Sequence, residues 1–183
     1  MSSIRHLGGR IVRFIHRTGF YRRIAKHFIK DVLIRKASDA DLQAVHHWLN
    51  PHGDHSQAVQ HRPYLDQWVA LQRKRVVGFV QLVEQPPEHY PYTGFWLFSL
   101  MVKLTRRRAG IGEALSQAVI DRASQKGAAC LRLVVYEDNL PAVRLYHKLG
   151  FKQVRLPDLS DQLDQEAAQT LRRRIILEKQ LNS

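Results

Sequence analysis

Apolar positions along this chain change period several times, and each change marks an element. Val32, Leu33 and Ile34 run into Arg35 and Lys36 as a short strand, after which Ser38 or Asp39 supplies the N-cap of a helix with acids in its first turn. Residues 66–72 and 76–84 are two apolar runs divided by Arg73, Lys74 and Arg75, which predicts a hairpin. Pro86, Pro87 and Pro91 lack the donors a ladder needs and make residues 85–92 a loop. Both faces of residues 93–103 are nearly apolar, as a covered central strand requires. Ile111, Leu115, Ala118 and Val119 then recur at helical spacing to about residue 125, and residues 130–135 form a further strand, so a helical crossover lays two strands side by side in parallel. Pro141 opens another helix that Gly150 stops. Residues 151–154 and 170–179 have strand character, while the polar, acidic stretch 155–169 reads as a loop with a helical turn over 162–169. The pattern predicts an α/β domain over residues 31–183. Ahead of it, residues 1–30 read as an extension of two short amphipathic helices, with Ile4, Leu7, Ile11, Phe14 and Ile15 on one stripe and Phe20, Ile24 and Phe28 on the next.

The helix that starts near Gly110 carries the first chemical signal. A helix N-terminus leaves about four backbone N–H groups unpaired at the positive end of the dipole, which suits a phosphate. Gly110 and Gly112 let a polyanion approach the backbone, and Arg106, Arg107 and Arg108 put charge beside it. Spacing excludes two common nucleotide loops, since no Lys-Ser or Lys-Thr follows Gly112 and residue 115 is Leu rather than the third glycine of a dinucleotide fingerprint.

The spacing Arg107-x-x-Gly110-x-Gly112 resembles the coenzyme A pyrophosphate signature of the GNAT superfamily of N-acetyltransferases. A second segment, Asn139-x-x-Ala142-x-x-x-Tyr146-x-x-x-Gly150-Phe151, resembles that superfamily's later motif in the same order and at a similar distance. The resemblance implies a mixed central sheet of six to seven strands with helices on both faces and a splayed fourth and fifth strand. It also implies acetyl transfer from acetyl-CoA to a primary amine by direct attack in a ternary complex, with no metal. On this reading Arg107, Arg108, Ala109, Gly110, Ile111 and Gly112 hold the pyrophosphate, and the backbone of Leu100, Met101 and Val102 pairs with the pantetheine arm. Asn139 holds the coenzyme or its loop, and Tyr146 protonates the departing thiolate. The glutamate that many members carry on the fourth strand is missing from residues 95–102. Glu84 is then the first candidate for the base, ahead of Glu88, His89 and Ser99, with bulk water as the alternative for an amine of low pKa. The same missing acid keeps open a protein of this fold that binds coenzyme A as a sensor or scaffold without turnover.

Composition changes this picture little, and charge changes it at one end. With 44% apolar residues among 183, the chain has ample material for a core. Its net charge is +13, and residues 1–30 carry eight Arg or Lys and no acid. That leader could dock on the domain, make a homo-oligomer contact, lie on an anionic membrane surface, or mark an organelle-targeting peptide; nucleic acid is disfavoured, because no recognition motif accompanies the charge. A single cysteine, Cys130, forms no internal disulfide and fits a reducing compartment, so the expected location is the cytoplasm, with or without peripheral membrane contact. His46, His47, His52, His55 and His61 with Asp54 match no standard metal spacing and read as surface or acceptor-loop residues. The acceptor itself, a small molecule or a peptide amine, is not legible.

Overall fold

The computed structural model describes residues 31–49 and 65–181, so the leader and the histidine-bearing stretch 50–64 lie outside the described residues. Strand β1 (Val32–Lys36) leads into helix α1 (Asp39–Leu49), and strands β2 (Leu65–Gln72) and β3 (Arg75–Gln85) form the expected hairpin. After a single 3-10 turn, Pro87–His89, come β4 (Gly94–Val102) and a second such turn, Leu104–Arg106. Helix α2 (Ile111–Gln125) crosses to β5 (Cys130–Tyr136), followed by α3 (Leu140–Lys148), β6 (Lys152–Val154), α4 (Pro157–Thr170) and β7 (Arg174–Gln180). One seven-stranded sheet results, in the order β1-β2-β3-β4-β5-β7-β6. It is antiparallel throughout except where β4 meets β5.

Alternation along the strands distributes helices to both faces. Val80, Leu82, Leu97, Leu131 and Leu133 point to one side, where Ile111, Leu115 and Val119 of α2 and Tyr146 and Leu149 of α3 cover them. On the other side Leu42 and Val45 of α1 pack on Val69, Val76 and Phe79, while Leu159 and Leu163 of α4 pack on Trp96 and Ile176. The start of α1 is closed by a reciprocal cap. Ser38 N–H donates to Asp41 Oδ2 at 2.8 Å, Asp41 N–H faces Ser38 Oγ at 3.4 Å, and Arg35 adds a bidentate contact at 2.5 and 3.0 Å. Ser38 is therefore the capping residue.

One expectation needs correction. Residues 155–169 are not a loop with a late turn but most of α4, fourteen residues long. Their acidic composition belongs to the solvent face, and Leu156, Leu159 and Leu163 supply a three-and-four stripe that packs under Trp96. Pro157 sits in the first turn, where its missing N–H is harmless.

Candidate active site

The parallel junction of β4 and β5 consists of one register pair, Trp96 with Arg132. Arg132 fixes that end, donating from Nε to Glu178 of β7 at 2.7 Å and from Nη1 to the Thr93 carbonyl at 3.4 Å. Beyond Trp96 the strands diverge, and β4 continues to Val102 with no β5 partner among the described residues. A bulge sharpens the divergence. The β3 ladder pairs Gln81 with Phe98 but Phe79 with Met101, so β4 holds one residue more than β3 across this interval. Ser99 takes up that residue at φ +55, an uncommon conformation for a side chain other than glycine. The edge of β4 that faces the gap is thus open main chain.

At the wide end of the gap the chain passes through Arg108 at φ +65 and Gly110 at φ +80 before α2 begins. The first internal bond of α2 runs from Ala114 N–H to the Gly110 carbonyl at 3.0 Å, and the N–H groups of Ile111, Gly112 and Glu113 precede it. Arg106, Arg107 and Arg108 are all exposed there, and Arg107 Nε reaches back to the Val102 carbonyl at 3.3 Å. A Cβ at Gly112 would stand 3.4 Å from Leu145, 3.8 Å from Val102 and 4.0 Å from Leu100. Leu100, Val102 and Gly112 are therefore neighbours, as the predicted coenzyme set requires, and α3 borders them through Leu145.

Helix α3 is aimed by its two ends. Asn139 is its N-cap residue, yet the Asn139 side chain makes no capping bond and is exposed at the C-terminal end of β5. At the other end Gly150 adopts φ +87, its N–H bonds the His147 carbonyl, and Phe151 N–H bonds the Tyr146 carbonyl, each at 3.0 Å. This is a Schellman closure, and it needs a residue at ease in the left-handed region. It sets Phe151 edge-on to Tyr146, with ring centroids 5.6 Å apart. Tyr146 is 5% exposed, and burial pushes its phenol well above the ordinary tyrosine value. The group therefore stays protonated, as a proton donor must.

The structure does not bring Glu84 to this cluster. Glu84 lies on the α2 face of β3, and its carboxylate is paired with Lys126 at the C-terminal end of α2. Fifteen helical residues, about 22 Å, separate that end from Gly110. Glu88 and His89 occupy the exposed turn Pro87–His89, where His89 Nδ1 meets Gln85 Oε1 at 2.8 Å and the neighbouring Tyr90 hydroxyl donates to Asp158 of α4. Of the four candidates for the base, Ser99 is the one beside the gap. Cys130 is half-buried in β5, and burial next to Glu178 raises its thiol pKa. Among the described residues no three His, Cys, Asp or Glu side chains converge on a metal position, and no helix is long and apolar enough to cross a membrane.

Two features of the site escaped the sequence reading although each left a trace. Gly78 sits where Leu115 and Ile111 press α2 against β3, and an isolated glycine within a strand run is the usual mark of such an approach. Ser99 is the lone hydroxyl within residues 95–102, and it marks the bulge.

Comparison with known proteins bears on this geometry. Residues 33–151 match the family model described as acetyltransferase (GNAT) family. The ribosomal protein bS18-alanine N-acetyltransferase of Escherichia coli is 37% identical over 60 residues, which are 33% of this chain and 40% of that one. The match thus spans well under half of that curated relative. An N-acetyltransferase from Staphylococcus aureus superposes with a TM-score of 0.66 at 20% identity, covering 84% of this chain and all of its own. NAA60 of Arabidopsis thaliana in complex with acetyl-CoA superposes with a TM-score of 0.62 at 18% identity, covering 83% of this chain and 99% of its own.

Proposed function

The chain belongs to the acetyltransferase (GNAT) family, and from that premise we propose that it transfers an acetyl group from acetyl-CoA to a primary amine by direct attack, both substrates being held at the β4–β5 gap. The observation that carries this reading is the coincidence, at one end of the sheet, of an open β4 edge with the unclaimed N–H groups of α2. Acetyl-CoA supplies an activated thioester. The N–H groups of Ile111, Gly112 and Glu113, with Arg107 and Arg108, bind its pyrophosphate, while Ala109 and Gly110 shape the loop. The β4 main chain from Leu100 to Val102 holds the pantetheine arm as an added strand, and an N–H there polarises the acetyl carbonyl. As the amine nitrogen bonds to the carbonyl carbon and the carbon–sulfur bond breaks, Tyr146 gives its proton to the sulfur. Asn139, its amide free of its own helix, steadies the coenzyme across the gap. Glu84 takes no part while it is paired with Lys126; the proton of the amine leaves to water that reaches the exposed Ser99.

Residues 31–183 make up the catalytic domain in this proposal, and residues 1–30 are an accessory basic surface for a membrane or a second copy of the chain. The location that fits is the cytoplasm, where acetyl-CoA and a reduced Cys130 coexist, and no metal is called for. Thiol release from acetyl-CoA, followed over a panel of peptide amines, polyamines and small amines, tests the activity. Tight binding of acetyl-CoA with no thiol release on any acceptor would leave a binding protein instead of an enzyme.

A further inference from the structure

Helix α3 meets the first turn of α2 through two residues that flank Tyr146 in the sequence. Leu145 is the nearest neighbour that a Cβ at Gly112 would meet, at 3.4 Å, and Lys148 Nζ donates to Glu113 Oε2 at 2.7 Å. The second contact joins unequal partners. The Lys148 side chain is 59% exposed, whereas that of Glu113 is 12% exposed. Glu113 Oε1 is buried with no hydrogen-bond partner, so among the described residues Lys148 is the one donor to this carboxylate. A buried carboxylate held by a single bond depends on that bond for all of its compensation. Glu113 also stands in the first turn of α2, at the positive end of the helix, where an acid is favourable until a second anion is to be bound there.

We propose that Lys148 is a positioning residue for the coenzyme, acting through Glu113: by holding and neutralising that carboxylate it keeps the first turn of α2 receptive to a polyanion, and the same bond ties α3 to that turn. The inference rests on the acetyl-CoA reading above. Covalent geometry keeps a glutamate's carboxylate carbon within about 5 Å of its own amide nitrogen. Whichever way the side chain turns, its charge therefore stands within about 9 Å of a phosphate seated on the Glu113 N–H, inside the screening length of about 10 Å at 0.1 M salt. Left unpaired, that charge would repel the pyrophosphate. Lys148 lies in the last turn of α3, the negative end of its helix, so a cation is at ease there and one bond satisfies both helix ends. Arg106, Arg107 and Arg108 come from a different element, and Lys148 need not touch the phosphates to matter.

Binding of acetyl-CoA to the full chain is measured by calorimetry at about 0.05 M and 0.5 M salt, with Tm recorded for every variant. Lys148→Met leaves the acid uncompensated and should raise Kd about ten-fold at the lower salt and by less at the higher. Lys148→Arg keeps the charge and should stay within about three-fold of the parent chain. The double variant Glu113→Gln/Lys148→Met carries the decision. With the acid gone the cation has nothing left to cancel, so Kd should return to within about three-fold of the parent value. Glu113→Ala/Lys148→Met takes its place should that double variant fail to fold. A Lys148 that touched phosphate directly, or a pair that merely packed, would give a double variant binding no better than Lys148→Met. That result overturns the inference while leaving the coenzyme site intact, as does an unchanged Kd in Lys148→Met. A parent chain that binds no acetyl-CoA overturns the coenzyme reading and this inference with it.

Discussion

Gly78 on β3 and Leu115 on α2 approach so closely that a Cβ built on the glycine would lie 2.9 Å from Leu115 Cδ1, with Ile111 Cγ2 at 3.1 Å and the Met101 carbonyl at 3.2 Å. The first turn of α2, whose N–H groups are proposed to bind the pyrophosphate, is seated against the sheet by the absence of one methyl group. Gly78→Ala should therefore cost about 1–3 kcal/mol of stability through overpacking and weaken acetyl-CoA binding together with it. Denaturant unfolding and calorimetry read both quantities. If neither moves, the seat is softer than this contact requires.

Gly110 adopts φ +80 immediately before α2, and the pyrophosphate is proposed to lie against it. Gly110→Asp forces a side chain into the left-handed region and adds a negative charge where a polyanion must approach, so acetyl-CoA binding should be lost. A folded Gly110→Asp protein that binds acetyl-CoA with unchanged affinity by calorimetry would remove the pyrophosphate from this loop.

Tyr146 is buried against Phe151 with its phenol held protonated. Tyr146→Phe deletes the transferable proton while leaving the ring, so turnover should fall about ten-fold or more with acetyl-CoA affinity nearly unchanged. Equal turnover would reduce Tyr146 to a packing residue.

Burial pushes the Asp41 carboxyl up, but its hydrogen bonds to Arg35 and Ser38 outweigh that and hold it below the ordinary carboxylate value. A carboxyl whose folded pKa is depressed stabilises the protein fully above its unfolded value of about 3.9, and that stability is lost as pH falls through the folded value. Asp41→Asn should accordingly cost about 1–2 kcal/mol near neutral pH, the worth of a cap with a charge-assisted bond, and the difference from the parent protein should shrink below about pH 4. A difference that stays constant between pH 7 and pH 3 would mean that the charge of Asp41 carries none of it.

The eight basic residues of the leader are proposed to bear on association. Deleting residues 1–30 should leave a folded domain that binds acetyl-CoA, since β1 begins at Val32 and the residues proposed to hold the coenzyme lie beyond it. Liposome sedimentation over a salt series then separates the two readings of the leader: binding to an anionic membrane falls steeply with salt, whereas an apolar contact between copies does not. An insoluble truncated domain, with no liposome binding by the intact chain, would make the leader part of the fold or of an oligomer contact.

Most of the sheet was legible because strand periodicity survives any tertiary context. The hairpin of β2 and β3, the apolar run of β4 and the α2 crossover all fall within a residue or two of where their patterns put them. What the patterns hid has physical causes. Helix α4 reads as acidic because its solvent face holds most of its residues, and three leucines carry its packing. The bulge at Ser99 is a change of register that no side-chain alternation announces in advance. Glu84 was a sensible acid by position along the chain, but only the fold reveals Lys126 waiting for it 42 residues later. The register of β2 against β3 is hidden in the same way, since the hairpin turn and a second bulge at Ala70 and Leu71 jointly set it.

The sole pair of Trp96 with Arg132 divides the sheet into two half-sheets, each continuous in sequence: β1 to β4 before α2, and β5 to β7 after it. The chain passes between them once. Side chains join the two halves on both faces, α2 packing on strands of each and Leu159 and Leu163 of α4 packing on Trp96 and Ile176, and a ligand lodged in the gap would add a further fastening. Any ligand that binds only the assembled form stabilises it by about 2.7 kcal/mol at a hundred-fold excess over Kd. Two polypeptides cut within the turn around Gly127, after α2 and before β5, would accordingly reassemble more readily when acetyl-CoA is there to join them.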